Sequence, residues 1–124
     1  MRIYICGNPL VEEDDVPLKI LPQLRQDFPN IEFLEYDSIE ELEGDAVIID
    51  TVEGIDAVRV IDDIGKIQQH KLCSMHDFDL GSGLKLLKKI GKIDNVKIIG
   101  IPKRMIADQA IEGVKRFIGD MINQ

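Results

Sequence analysis

Short apolar runs alternate with amphipathic stretches along this chain. Five runs are rich in isoleucine and valine and are bordered by turn residues, which predicts β-strands over residues 2–6, 31–36, 46–50, 57–62 and 96–101. Between and after them, apolar residues recur at the spacing of an amphipathic helix. These helical patterns comprise Ile20, Leu21, Leu24 and Phe28, then Leu80, Leu84, Leu87 and Ile90, and finally Ile111, Val114, Ile118 and Met121.

This alternation of strands and helices predicts the fold class. We expect an α/β fold, formed as a single domain over residues 1–124, with a twisted, mostly parallel five-stranded sheet and helices on both faces. The segment 51–79 is harder to assign, because a hairpin-like excursion fits its pattern as well as a helix does. Pro22 lies inside the first helical pattern, so the helix is either kinked there or begins late.

Charge narrows the range of partners. Fifteen basic residues stand against 23 acidic ones, and the net charge of −8 repels nucleic-acid phosphates and anionic membrane surfaces. The apolar run before Gly7 has only four residues, too few for a signal-peptide core or a membrane span, so a cytoplasmic protein is expected. The sequence therefore predicts neither a nucleic-acid partner nor a membrane partner, and it fixes no oligomeric state.

Acidic residues and a histidine follow several of the predicted strands. The acidic run 12–15 comes after the first strand, the run AVIID ends in Asp50, and His76 precedes the helical pattern that starts at Leu80. Ligands of open α/β sheets bind outside the carboxyl ends of the strands. Two carboxylates and an imidazole suit a divalent transition metal, so Asp14, Asp50 and His76 together are a candidate metal site.

The carboxylates of the acidic run and Asp50 also have a purely structural interpretation. Glu12, Glu13 and Asp15 stand ahead of Pro17, as expected of carboxylates that cap a helix N-terminus. Asp50 closes an apolar run, where an aspartate often begins a turn. A capping or turn role therefore stays open for each of these carboxylates.

In order and spacing, these residues resemble the nickel–iron hydrogenase maturation proteases. The resemblance covers nearly the whole chain and rests on Gly7-Asn8 with Leu10, on Glu13-Asp14, on Asp50, on His76-Asp77 and on the strand VKIIGIP. The chain departs from the family at Pro17, where members usually have a glycine. It is also shorter than typical members, with the trimming in residues 51–75.

The resemblance implies an aspartyl-type endopeptidase. Such an enzyme removes the C-terminal extension of a nickel–iron hydrogenase large-subunit precursor, its partner, after nickel has been inserted. By motif, the nickel ligands fall on Asp14, Asp50 and His76, and the nickel is supplied by the substrate. The expected nucleophile is water, activated by a carboxylate or polarised by the metal. Asp14 and Asp50 are the candidate bases, and either could take that role instead of a ligand role, while a thiol nucleophile at Cys73 is an alternative.

Two other functions stay open at this point. A phosphoacceptor receiver domain has a similar length, acidic residues after its first strand, an aspartate ending its third and a lysine after its fifth, here Lys103. Against it, Asp14 lies eight residues beyond Cys6, and the chain reads Pro-Lys where a receiver reads Lys-Pro. The second alternative is a nickel-sensing binding module without peptidase activity.

Overall fold

The computed structural model describes residues 1–5, 15–35, 41–62 and 80–123. Within these ranges the chain forms five strands and three helices. The strands are β1 (Arg2–Ile5), β2 (Glu32–Glu35), β3 (Gly44–Val52), β4 (Arg59–Ile61) and β5 (Ile93–Pro102). The helices are α1 (Val16–Asp27), α2 (Leu80–Lys89) and α3 (Ala107–Ile122). Each predicted strand and each predicted helical pattern therefore corresponds to an element of the structure.

The five strands form one sheet in the order β2-β1-β3-β5-β4. β1 pairs in parallel with β2 and β3, and β3 pairs in parallel with β5, whereas β4 runs antiparallel to β5 at the edge. The predicted, mostly parallel α/β sheet is thus confirmed. The chain passes from β1 to β2 on one side and then crosses to β3 on the other. The carboxyl ends of β1 and β3 therefore flank the switch point of the sheet, where ligands bind in folds of this kind.

Helices cover both faces of the sheet, as predicted. One apolar cluster joins the inner side of α1 and α3 to β-strand residues, with Ile20, Leu24, Val114 and Ile118 among its buried members. The other cluster joins α2 to the opposite face through Leu84 and Leu87. In the described ranges, no helix is both long and apolar enough to cross a membrane.

Two details of the predicted helices differ in the structure. The first helix does not begin late, because it starts at Val16 with Pro17 in its first turn and retains Pro22 in its interior. Pro22 is exposed, so its ring faces solvent and does not disturb the core. Ile90 is 65% exposed and follows the last residue of α2, so it does not belong to the buried stripe that its spacing predicted.

Gly113 lies where α3 contacts Val58, and a Cβ atom there would be 2.7 Å from the Val58 Cβ. We expect Gly113→Ala to lower the free energy of unfolding by about 1 kcal/mol, because overpacking outweighs the gain in helix propensity. Gly119 lies on the same helix with nothing within 4 Å of an added Cβ. Gly119→Ala should therefore raise the free energy of unfolding by about 0.5–1 kcal/mol. Urea unfolding measures both, and stabilisation by Gly113→Ala would contradict this packing.

Candidate functional site

Asp50 lies at the carboxyl edge of the sheet, beside the switch point. In the described residues, the last pair between β1 and β3 joins Ile5 to Ile49. Asp50 is the next residue of β3 after this pair. On the other side, β3 stays paired with β5 as far as Val52 and Pro102. Asp50 is therefore held within a strand and does not begin a turn, and the turn interpretation is wrong for this residue.

The Asp50 side chain is fully buried, with 0% of its surface exposed. Its Oδ1 atom accepts a hydrogen bond of 2.8 Å from the backbone N–H of Thr51. Strand alternation puts the carboxylate on the face of the sheet that carries α2, the side of Ile48 and Val52. Burying an ionised carboxylate is costly unless hydrogen bonds or a cation compensate for the lost water. A buried carboxylate has the chemistry to bind a cation or to exchange a proton, and this role of Asp50 stays a prediction.

A pair of charged residues links the ends of β3 and β5. Lys103 Nζ lies 2.8 Å from Glu53 Oε1, and both side chains are about one-third exposed, at 31% and 34%. The backbone N–H of Lys103 also donates to the carbonyl oxygen of Val52. The sequence pattern alone did not indicate this pair as part of the edge. Opposite charges that directly follow two apolar strands could have revealed it, once those strands were known to be neighbours.

α1 and α2 both begin toward this edge. α1 ends shortly before β2. The N–H of Glu32, the first residue of β2, donates to the Met1 carbonyl at the amino edge of the sheet. The last turn of α1 therefore lies toward the amino edge, and its first turn lies toward the carboxyl edge. α2 likewise ends beside the amino end of β3, because the Gly44 N–H donates to the Lys92 carbonyl. Asp15 and Leu80, the residues that border these helix starts, therefore lie on the Asp50 side of the sheet.

Asp15 occupies the N-cap position of α1 but makes no capping hydrogen bond with its side chain. Its Oδ1 atom instead lies 3.3 Å from Lys19 Nζ in an ion pair. The predicted position of Asp15 at the helix N-terminus is therefore confirmed, but the predicted capping hydrogen bond of its carboxylate is not formed. The same prediction for Glu12 and Glu13 falls outside the described residues.

Asp14 and His76, the other two predicted metal ligands, lie outside the described residues, as does Cys73. Within the described ranges, no group of three or more histidine, cysteine, aspartate or glutamate side chains could hold a metal ion. Of the predicted site, the structure thus describes Asp50 alone. The meeting of Asp14, Asp50 and His76 at one ion stays a prediction.

Thr51 follows Asp50 and is also fully buried, with its side chain on the α1 and α3 face. Its hydroxyl has no hydrogen-bond partner among the described residues. We expect Thr51→Val to raise the free energy of unfolding by about 1 kcal/mol, because an unpaired buried hydroxyl is replaced by a methyl group of similar size. Thr51→Ser is the control, and the lost methyl should cost about 1 kcal/mol. Destabilisation by Thr51→Val in urea unfolding would mean that the hydroxyl is hydrogen-bonded in solution.

Two solved structures resemble this chain along most of its length. A crystal structure of the hydrogenase 3 maturation protease matches it with a TM-score of 0.63 and 17% identity, covering 94% of this chain and 87% of that one. A solution structure of an endopeptidase from Escherichia coli matches with a TM-score of 0.65 and 16% identity, covering 96% and 91%. This chain has their fold. No protein-family model matches it, and no curated protein matches it by sequence.

The expected resemblance to hydrogenase maturation proteases is thus confirmed at the level of the fold. The strand order also bears on the receiver alternative. Receivers have the flavodoxin-like order, in which the fourth strand lies beside the third and the fifth forms the edge. Here β5 lies beside β3, and the antiparallel β4 forms the edge. The sheet therefore favours the protease fold over a receiver domain.

Proposed function

We propose that this protein is a cytoplasmic endopeptidase of hydrogenase maturation, which removes the C-terminal extension of a nickel–iron hydrogenase large-subunit precursor after nickel insertion. The observation that carries the proposal is the fold shared with two peptidases over at least 94% of the chain. A fold alone hosts many functions, so the site residues must agree with it. The acidic run 12–15, Asp50 and His76-Asp77 follow one another along the chain in the order that resembles hydrogenase maturation proteases, which supports the proposal.

The proposed site consists of Asp14, Asp50 and His76. Asp50 supports it directly, because a buried carboxylate at the switch point attracts a cation more strongly than one in water does. Carboxylate and imidazole groups are ligands that nickel accepts. The three side chains would hold the nickel that the precursor brings, so the metal belongs to the substrate and is not a resident cofactor of this protein.

Binding the substrate's nickel would couple cleavage to metal loading. A precursor without nickel would lack the cation that joins it to the buried carboxylate, and it would bind poorly. Affinity for divalent metals generally favours copper over nickel, so selectivity would come from the precursor's own ligands and from the site geometry. When bound, the nickel would join the precursor to Asp14, Asp50 and His76 and would supply Lewis-acid chemistry at this edge.

The hydrolytic step would use water activated by one of the two carboxylates, which would then serve as the base instead of as a nickel ligand. Asp14 or Asp50 accepts a proton from water, whose oxygen forms a bond to the carbonyl carbon of the scissile peptide. The carbon–nitrogen bond then breaks, and the proton passes to the leaving amine. The products are the mature large subunit with a free carboxylate and the released peptide.

A processing assay with purified proteins tests this proposal. The protein is mixed with nickel-loaded precursor and, in parallel, with the same precursor prepared without nickel. We expect the nickel-loaded large subunit to be shortened and the nickel-free one to stay intact, as seen by gel shift and by mass spectrometry of the released peptide. If the protein binds the loaded precursor but leaves it uncut, it is a nickel-sensing binding module and the peptidase proposal fails.

A further inference from the structure

α2 carries two exposed apolar side chains beside exposed lysines. Leu86 is 59% exposed and Ile90 is 65% exposed, and the Ile90 N–H donates to the Leu86 carbonyl, which keeps them one helical turn apart. Lys85 and Lys89 form the next row on the exposed side of α2 with the same spacing, and Lys88 lies beyond that row, next to the buried Leu84. These five residues are called the α2 lysine–leucine face.

The direction of this face is fixed by the opposite side of the helix. Leu84 is 0% exposed and Leu87 is 6% exposed, and both belong to the apolar cluster on the sheet. Because these two anchors set the rotation of α2, Leu86 and Ile90 point away from the core. Their exposure is thus a property of the packed fold.

The lysines of this face differ from others on the surface. Within the described ranges, no carboxylate forms an ion pair with Lys85, Lys88 or Lys89. Three other described lysines lie within 3.3 Å of a carboxylate: Lys19 with Asp15, Lys103 with Glu53, and Lys115 with Asp27. The helix dipole accounts for cations in the last turn of α2, but not for Lys85 or for the apolar pair.

The charge pattern defines what such a face can bind. Residues 80–93 contain no aspartate or glutamate, although the chain as a whole has a net charge of −8. The exposed apolar pair lies directly beside the lysine row, so a partner could contact apolar and cationic groups together, as protein interfaces commonly do. An anionic membrane fits less well, because the rest of the chain would be repelled and only two apolar side chains are offered.

We propose that the α2 lysine–leucine face docks an acidic segment of the protein substrate, with an apolar side chain of that segment placed against Leu86 and Ile90. This inference rests on the proposed function, which makes the substrate a protein. The face lies toward the end of α2, beside the amino end of β3, whereas Asp50 lies near the carboxyl end of that strand. A precursor that reaches both would therefore extend along α2. The face would set how tightly the precursor binds, while Asp50 acts on the bond that is cleaved.

Processing kinetics with the nickel-loaded precursor test the docking face. We expect Leu86→Ser and Lys89→Glu each to raise KM roughly tenfold and to leave kcat unchanged, because they remove an interface anchor and a rim charge without touching the edge. Arg116→Glu is the matched control, an exposed cation on α3 that changes the net charge by the same amount. It should leave KM unchanged. Added salt should raise the wild-type KM more than that of Lys89→Glu.

The outcomes separate this proposal from the proposed function. Normal processing with an unchanged KM in Leu86→Ser and Lys89→Glu overturns the docking face and leaves the peptidase intact. If wild type cleaves nothing, the peptidase proposal fails, and direct binding of the precursor decides the docking face: weaker binding by both variants supports it, and equal binding overturns it. Leu86-dependent binding to phosphatidylserine vesicles, with no effect on the precursor, would make the face a membrane surface and would also overturn the proposal.

Discussion

Replacing Asp50 with asparagine is expected to slow precursor processing by about 10²- to 10⁴-fold, the range that general acid–base catalysis contributes. Asparagine has the same shape, and its amide oxygen can still accept the Thr51 N–H bond that Asp50 Oδ1 accepts at 2.8 Å. The fold should therefore survive while the negative charge is lost. Without that charge, the residue can neither take a proton from water nor hold the substrate's cation.

Asp45→Asn is the matched control for this prediction. Asp45 lies on the same strand, but it is exposed, and its Oδ1 atom accepts a hydrogen bond of 3.2 Å from Asn95 at the amino end of β3. Processing by Asp45→Asn should stay within about twofold of wild type, as expected of a surface substitution away from the site. Circular dichroism of both variants verifies the fold. Full processing by Asp50→Asn would remove Asp50 from the site.

Leu84→Ala is expected to lower the free energy of unfolding by about 2–5 kcal/mol, the usual cost of truncating a buried leucine. Leu84 is 0% exposed and anchors α2 to the sheet. Leu86→Ala, two residues further along the same helix, should change the free energy of unfolding by less than about 0.5 kcal/mol, because Leu86 is mostly in solvent. Urea unfolding measures both. Equal losses in the two variants would mean that Leu86 is packed, and the α2 lysine–leucine face would then not exist.

The sheet followed from the sequence because its strands are short aliphatic runs between turn residues. Their lengths were less predictable. β5 extends back to Ile93 through Asp94 and Asn95, and propensity argues against both polar residues in a strand. Pairing with β3 decides this, since Ile93 is paired with Gly44 at the start of that strand. The antiparallel direction of β4 was not predicted either, because an apolar run contains no information about strand direction.

The candidate site was predictable only in part. Asp50 was found because it closes an apolar run. Ligands of open α/β sheets bind outside the carboxyl ends of the strands, so Asp50 was expected at a ligand-binding edge. The contact of Lys103 with Glu53 depends on β3 and β5 being neighbours, and this follows from the folded sheet and not from spacing. Ile90 was assigned to the buried stripe by its spacing, but α2 ends at Lys89 and leaves Ile90 in solvent.

The most direct test of the account is a crystal of this protein soaked in Ni²⁺, with anomalous diffraction recorded at the nickel absorption edge. We expect one anomalous peak at the carboxyl edge of β1 and β3, within coordination distance of the Asp14 and Asp50 carboxylates and the His76 imidazole. A peak elsewhere, or an electron-density map in which Asp14 or His76 lies too far from Asp50 to share an ion with it, would contradict the proposed site.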